Sequence, residues 1–174
     1  MKKYLLFLAV CLSVSTISFG QKYGTTKFSL GPEIGIATSN PFKNTNNKGF
    51  GIGAGASAQI EHFFQESISG VVSAGIVYYS GRSSGSTEKN KAYVAIPVLV
   101  GGNAFVGDRF HIGARIGAGL NSVSGISSTT FAYSPQIGYN FSRNEKPLDL
   151  TLKYDGYAGK YNFSALGLRL SFIL

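Results

Sequence analysis

Seven charged residues could carry chemistry in this sequence, because each falls on the polar face of a segment whose apolar residues recur at every second position. They are Glu33, Glu61, Arg115, Asp149, Lys153, Asp155 and Arg169. Counting along the segments places four of them in one layer: Glu33, Arg115, Lys153 and Arg169. Glu61 and Asp149 fall below that layer and Asp155 above it. Isolated charges in a narrow interior are costly, so we expect these groups to pair.

Two further patterns could indicate catalysis or cofactor binding, and both fail on their context. His62 and His111 fall on opposite faces of their segments, outward and inward, so they cannot share a metal ion or a proton relay. Residues 53–58 loosely fit a dinucleotide-binding pattern, which requires a helix opening from a strand. Here the alternation continues straight through them. We therefore predict no catalytic, cofactor-binding or metal site and no enzymatic activity.

The period of the apolar residues predicts the elements that position these side chains. At the end of the sequence, Leu166, Leu168, Leu170 and Phe172 alternate with small or polar residues, which indicates a strand with two different faces. Eight segments show this pattern: 27–38, 49–63, 68–80, 91–105, 110–122, 131–142, 148–156 and 162–174. Most match or exceed the roughly 9–11 residues that a tilted strand needs to cross a membrane.

The composition and the connections favour a membrane over water. Only 14% of the residues are charged, whereas soluble domains carry about a quarter. Long polar stretches such as 39–48 and 81–90 join segments 1–2, 3–4, 5–6 and 7–8, and the other joins are short. The sequence therefore predicts an all-β fold, a transmembrane antiparallel up-and-down β-barrel of eight strands. Its long loops would lie outside, and its tight turns and both termini in the periplasm. A soluble barrel with its apolar face inside is the alternative.

Closure of such a barrel makes the first and last strands neighbours, which would bring Glu33 within reach of Arg169.

Aromatic residues collect near both ends of the segments, as expected for two interfacial girdles; a simple preference of Phe and Tyr for strands is the other explanation. Those near the long connections are Tyr78, Tyr79, Tyr93, Phe131, Tyr133, Tyr154, Tyr157 and Tyr161. Those near the short turns are Phe63, Phe64, Phe105, Phe110, Tyr139, Phe141 and Phe172.

Residues 1–20 predict a cleaved signal peptide, which leaves residues 21–174 as the barrel domain. Lys2 and Lys3 precede an apolar run, and Ser18-Phe19-Gly20 offers a cleavage point before Gln21. The run is too short for a spanning helix, which needs about 20 residues. The single cysteine, Cys11, lies inside it, so we expect no disulfide in the barrel domain.

Two segments carry a resemblance to a known family. Residues 92–100, Ala-Tyr-Val-Ala-Ile-Pro-Val-Leu-Val, and the glycine-rich residues 113–121 resemble the outer-membrane β-barrel domain family of Gram-negative bacteria. That porin-like group includes small barrels of the OmpA and OmpX type. Many relatives carry Glu before the Ile-Pro pair and Lys after the aliphatic run, where this sequence has Ala95 and Gly101. The resemblance implies the fold and an outer-membrane location, and only weakly an activity.

Two functions remain open for such a barrel. One is a structural or surface-interaction role in envelope integrity, adhesion or defence, with the lumen plugged by an ion-pair network. The other is a porin-like channel for small solutes, with the charges as its constriction. The interior of an eight-stranded barrel is just wide enough for side chains to fill, which favours the plug.

The expected partners follow from this location. They are outer-membrane lipids and lipopolysaccharide, with periplasmic chaperones and the barrel-assembly machinery during biogenesis. The predicted outer loops carry basic residues that suit a polyanion, against one acid, Glu88. These basic residues are Lys43, Lys48, Arg82, Lys89, Lys91 and Lys160. No nucleic acid is expected, because no basic patch is interleaved with exposed aromatics. We expect a monomer.

Overall fold

A computed structural model describes residues 24–39, 50–81, 92–107, 109–123, 126–141, 148–159 and 162–174. The predicted signal peptide, all six basic loop residues, Glu88 and Tyr161 lie outside these ranges. Eight antiparallel strands close into one barrel in sequence order, which confirms the predicted architecture. The strands are β1 (Thr26–Ala37), β2 (Phe50–Gln65), β3 (Ile68–Gly81), β4 (Tyr93–Val106), β5 (Phe110–Val123), β6 (Ile126–Asn140), β7 (Leu148–Ala158) and β8 (Phe163–Ile173). No helix in the described ranges is long and apolar enough to cross a membrane.

The barrel has two distinguishable ends. We call the end with the β1–β2 and β3–β4 connections the loop end. The turn end carries the β2–β3 and β4–β5 connections, and there β1 begins and β8 finishes, with Ser29 opposite Ile173. Seven strand starts lie within two residues of prediction, because period-two alternation marks a strand until the chain turns.

The sixth strand is the exception, since β6 begins at Ile126 instead of residue 131. Its first residues pair with β5 as far as Val123 opposite Ile126. The predicted long connection between these strands is therefore wrong, and residues 124–125 alone separate them. The β7–β8 connection, residues 159–162, is short as well. A run of Ser and Thr has the composition of a loop, yet nothing in these side chains prevents strand pairing.

Large apolar side chains cover the outer surface of the barrel. Ile34 is 57% exposed, Val100 56% and Ile116 56%, and similar residues surround them on every strand. Polar and charged side chains fill the interior instead. Soluble proteins do the reverse, because each apolar side chain left in water forgoes about 1.5–3 kcal/mol of burial free energy. This arrangement excludes the alternative of a soluble barrel with an apolar interior.

The aromatic residues near the strand ends divide between the two faces. Those exposed on the outer surface are Tyr78, Phe131, Tyr133 and Tyr154 at the loop end, and Phe64, Phe110, Phe141 and Phe172 at the turn end. Five predicted girdle residues point into the barrel instead: Tyr79, Tyr93, Tyr157, Phe63 and Phe105. The girdle prediction is wrong for these five. It used distance from the strand end and ignored the alternation that places adjacent residues on opposite faces.

Candidate functional site

Lys153 lies at the centre of the charged layer inside the barrel. Its Nζ is 2.9 Å from Glu33 Oε2 and 3.0 Å from Asp155 Oδ2. Ser57 Oγ donates to Glu33 Oε2 at 3.0 Å, and Ser134 Oγ donates to Asp155 Oδ1 at 2.7 Å. One cation and two hydroxyl groups therefore offset two buried carboxylates, which is what a buried charge requires.

The cationic partner of Glu33 differs from the one expected from closure of the barrel. Arg169 faces Glu33 in register across the β8–β1 seam, but the ion pair of Glu33 is with Lys153 on β7. Gly167 is the neighbour of Lys153 on the intervening strand β8. A Cβ at Gly167 would lie 3.1 Å from Lys153 Cε. The absence of a side chain there lets Lys153 reach across β8 to β1.

The two lumenal arginines bind neutral polar groups. Arg115 Nη2 donates to Gln59 Oε1 at 2.8 Å. Arg169 Nη2 donates to Thr151 Oγ1 at 3.4 Å. Both arginines are buried, with 4% and 2% of their surfaces exposed. Their long side chains therefore occupy the cross-section of the barrel, with Arg115 reaching from β5 to β2.

Glu61 and Asp149 lie toward the turn end, each inside its own hydrogen-bonded group. Glu61 Oε1 accepts from Ser69 Oγ at 2.6 Å and from Asn103 Nδ2 at 2.7 Å. Asp149 Oδ2 is 2.8 Å from His111 Nε2, and Asp149 Oδ1 accepts from Thr151 Oγ1 at 2.6 Å. All seven charged residues singled out in the sequence are thus buried in the lumen. They form several hydrogen-bonded groups, in one of which Lys153 pairs with both Glu33 and Asp155.

The histidines stay apart, as their positions along the chain predict. His111 is buried in the lumen, while His62 is exposed on the outer surface, where its Nδ1 lies 2.8 Å from Thr26 Oγ1. Gly138 makes room for the His111 ring, which a Cβ at that position would meet directly. In the described part of the chain, no three His, Cys, Asp or Glu side chains are grouped to hold a metal ion.

Aromatic side chains fill the lumen above the charged layer, and sequence reasoning missed this cluster. Tyr79, Tyr93, Tyr157 and Phe163 pack together at the loop end, with ring centroids 4.3 Å apart for Tyr93 and Phe163. Tyr79 and Phe163 are 4.9 Å apart, edge to face. The signal was present in the sequence, because Tyr79 follows the outward Tyr78 and must point inward.

The turn end is filled in a similar way. Phe63 and Phe105 are in contact, with centroids 5.3 Å apart, and Lys27 Nζ lies 4.6 Å from the centre of the Phe63 ring. A cavity of about 10 Å³ remains nearby, lined by His111 and Asp149 among others. That volume holds about one water molecule. In the described ranges, side chains thus fill the lumen at both ends and at the charged layer between them.

An eight-stranded closed barrel with an apolar outside and a polar, filled inside defines a small transmembrane-type β-barrel. The fold is that of the small outer-membrane barrels. It is similar to Ail, the attachment invasion locus protein of Yersinia pestis, with a TM-score of 0.61 and 13% identity over 87% of this chain and 99% of that one.

Two other solved structures share the fold. The outer membrane protein OprG from Pseudomonas aeruginosa has a TM-score of 0.55 and 10% identity, over 90% of this chain and 95% of that one. Neisserial surface protein A has a TM-score of 0.51 and 15% identity, over 84% and 96% of the two chains. No family model and no curated protein matches the sequence. Identities this low establish the fold and nothing finer.

Proposed function

We propose that the protein is an integral outer-membrane barrel with a closed lumen, which acts through its surface in envelope integrity, adhesion or defence. The observation that carries the proposal is the pairing of an exposed apolar outer face with a lumen filled by ion pairs and aromatic rings. The outer face suits lipid, and a filled lumen leaves little room for solute transport. No catalytic activity is part of the proposal.

The similar structures support a surface role. Ail is described as an attachment and invasion protein, and its structure is also known with the heparin analogue sucrose octasulfate. The other similar barrels include a protein named for its place at the cell surface. For this protein we propose a polyanion of the cell surface or envelope, lipopolysaccharide included, as the binding partner.

Basic residues on the predicted outer loops are the feature that would meet such a polyanion. Lys43 and Lys48 belong to the β1–β2 connection, and Arg82, Lys89 and Lys91 to the β3–β4 connection. Lys160 belongs to the β7–β8 connection, on the same side of the barrel. These residues lie outside the described ranges, and the strands that their segments connect have those ends at the loop end of the barrel.

Loop binding is tested with the purified barrel in nanodiscs of neutral phospholipid and heparin as the polyanion. We expect salt-dependent binding, and replacing the six basic loop residues with Gln should weaken it about tenfold or more. Arg109→Gln, a change at the turn end, is the matched control and should leave binding unchanged. Absence of binding at low salt, or an equal loss in the control variant, would contradict the surface role proposed for the loops.

The channel is the alternative function, and planar-bilayer recording separates it from the closed barrel. We expect no stable conductance from the purified protein, because side chains occupy the lumen. These are Lys153, Arg115 and the packed rings of Tyr79, Tyr93, Tyr157 and Phe163. Stable, charge-selective conductance would overturn the closed lumen. In that case replacing Glu33 or Arg169 should change the ion selectivity, since both would line the constriction.

Two further elements of the proposal concern biogenesis and assembly. Cleavage of residues 1–20 by signal peptidase is tested by N-terminal sequencing of the mature protein. Outer-membrane lipids, periplasmic chaperones and the barrel-assembly machinery are the partners that such a route implies, and we propose that the mature barrel is a monomer. Membrane fractionation followed by heat-modifiable gel mobility tests the location itself.

A further inference from the structure

Three seams between neighbouring strands are interrupted in mid-strand, and each interruption contains one proline. Pairing stops around Pro32 in the β8–β1 seam, around Pro97 in the β3–β4 seam and around Pro135 in the β6–β7 seam. It resumes beyond each gap in the same register. Proline has no N–H to donate, so each of these seams lacks a backbone hydrogen bond that other residues would supply.

The remaining seams are continuous through their middles. The β1–β2, β4–β5, β5–β6 and β7–β8 ladders have no gap, and the β2–β3 ladder shifts its register only near the strand ends. The interruptions therefore divide the wall of the barrel into three panels. These are β1–β3, β4–β6 and β7–β8, and each panel meets its neighbours at a seam that contains a proline.

The lumenal side chains bridge between the panels. The β1–β3 and β4–β6 panels are joined by Glu61 with Asn103 at 2.7 Å and by Gln59 with Arg115 at 2.8 Å. These contacts run across the interior and not along the interrupted backbone ladder. They therefore connect strands that the ladder itself does not pair, since β2 and β5 are not neighbours in the barrel.

The β7–β8 panel is held from both sides by its charged residues. Ser134 donates to Asp155 at 2.7 Å, which links this panel to β6. Asp149 is 2.8 Å from His111 on β5. Toward the other side, Lys153 is 2.9 Å from Glu33 on β1. Each of the three charged side chains of β7 thus directly contacts a residue of another panel.

We propose that the lumenal polar network is a clamp that joins three panels across proline-interrupted seams, and that the β7–β8 panel is the one that separates when the clamp is broken. Every panel has an interrupted seam on each side, but this one has two strands instead of three. Lys153 is the ion-paired residue that ties it to β1–β3. The network holds the three panels together through contacts across the interior, in addition to filling the lumen. The inference does not depend on the proposed surface role.

Residue-resolved amide exchange, followed by NMR on the refolded protein in micelles, tests the panels. In Lys153→Met, seam-facing amides of β7, β8, β1 and β6 should exchange about 100-fold faster, because a buried ion pair has lost one partner. In the same variant, amides between β4 and β5 should exchange more slowly than these seam amides, because they open only when the whole barrel unfolds. Asn121→Ala is the matched control, since in the described part of the chain it removes a hydrogen bond to Thr130 inside the β4–β6 panel, and it should leave all three seams unchanged. Seam amides that exchange no faster than the β4–β5 amides in Lys153→Met would overturn the proposal.

A second variant keeps the test valid if Lys153→Met does not fold. Pro135→Ala restores an N–H at the β6–β7 seam and should slow exchange of the amides around Tyr154 and Asp155 about tenfold. Pro97→Ala should slow exchange in the β3–β4 seam and leave β6–β7 as it is. Unchanged exchange at the β6–β7 seam in Pro135→Ala would show that the proline does not set the seam's stability, and would overturn the proposal.

Discussion

Replacing Lys153 with methionine is expected to lower the free energy of unfolding of the barrel by about 3–5 kcal/mol, because the change leaves two buried carboxylates without their cation. Glu33 and Asp155 are 3% exposed each, so water cannot take over the role of the amine. Methionine has nearly the same length and volume, which limits the packing loss. Urea unfolding of the protein in micelles or bilayers, followed by gel mobility, measures the difference.

The control for this prediction removes the charges that the cation offset. A triple variant, Lys153→Met with Glu33→Gln and Asp155→Asn, should recover most of the lost stability, since the two side chains that lost their cation are then neutral. Ser57 and Ser134 can still hydrogen-bond the two amides in place of the carboxylates. A single variant as stable as the original protein would contradict the prediction. So would a triple variant less stable than the single one, because the loss would then come from packing.

The lumenal charges could be predicted from the sequence because strand alternation is local and each strand is long. Glu33 and Arg169 fall on the polar face by a simple count along β1 and β8, and the structure buries both. Which residues pair could not be predicted in the same way. The reach of Lys153 to Glu33 depends on Gly167 lying between them on β8, and that neighbour is fixed only by the register of the closed barrel.

The aromatic cluster, the start of β6 and the panels differ in how far the sequence could predict them. The alternation that predicts the lumenal charges also predicts that Tyr79 points inward, whereas its distance from the strand end does not. The hydroxyl-rich start of β6 has no alternating apolar residues. The two-residue period therefore does not reveal that the first residues of this strand pair with β5. The prolines are visible in the sequence at once. Their common position in strand seams appears only when each is matched with the strand opposite, which local sequence does not specify.

Replacing Ile116 with arginine is expected to destabilise the protein in a bilayer by about 2–4 kcal/mol, as charged residues do at the lipid-facing midplane of outer-membrane barrels. Ile116 lies in the middle of β5 and is 56% exposed on the outer surface. In a water-soluble barrel, the same exposed position would tolerate arginine to within about 0.5 kcal/mol. The size of the effect therefore reports directly on what surrounds the outer face.

Thr129→Arg is the matched control, because Thr129 is exposed near the tip of the β5–β6 hairpin at the loop end. Near or beyond the interface, arginine should cost only about 0–1 kcal/mol. Unfolding in phospholipid vesicles gives both values, and the difference between the two sites is the quantity of interest. Equal and small effects at both sites would mean that the apolar outer face of the barrel does not contact lipid. That result would contradict the outer-membrane location. A large effect at Ile116 alone would show that lipid hydrocarbon surrounds the middle of β5. The lumenal charges lie at the same height, on the inner side of the barrel wall.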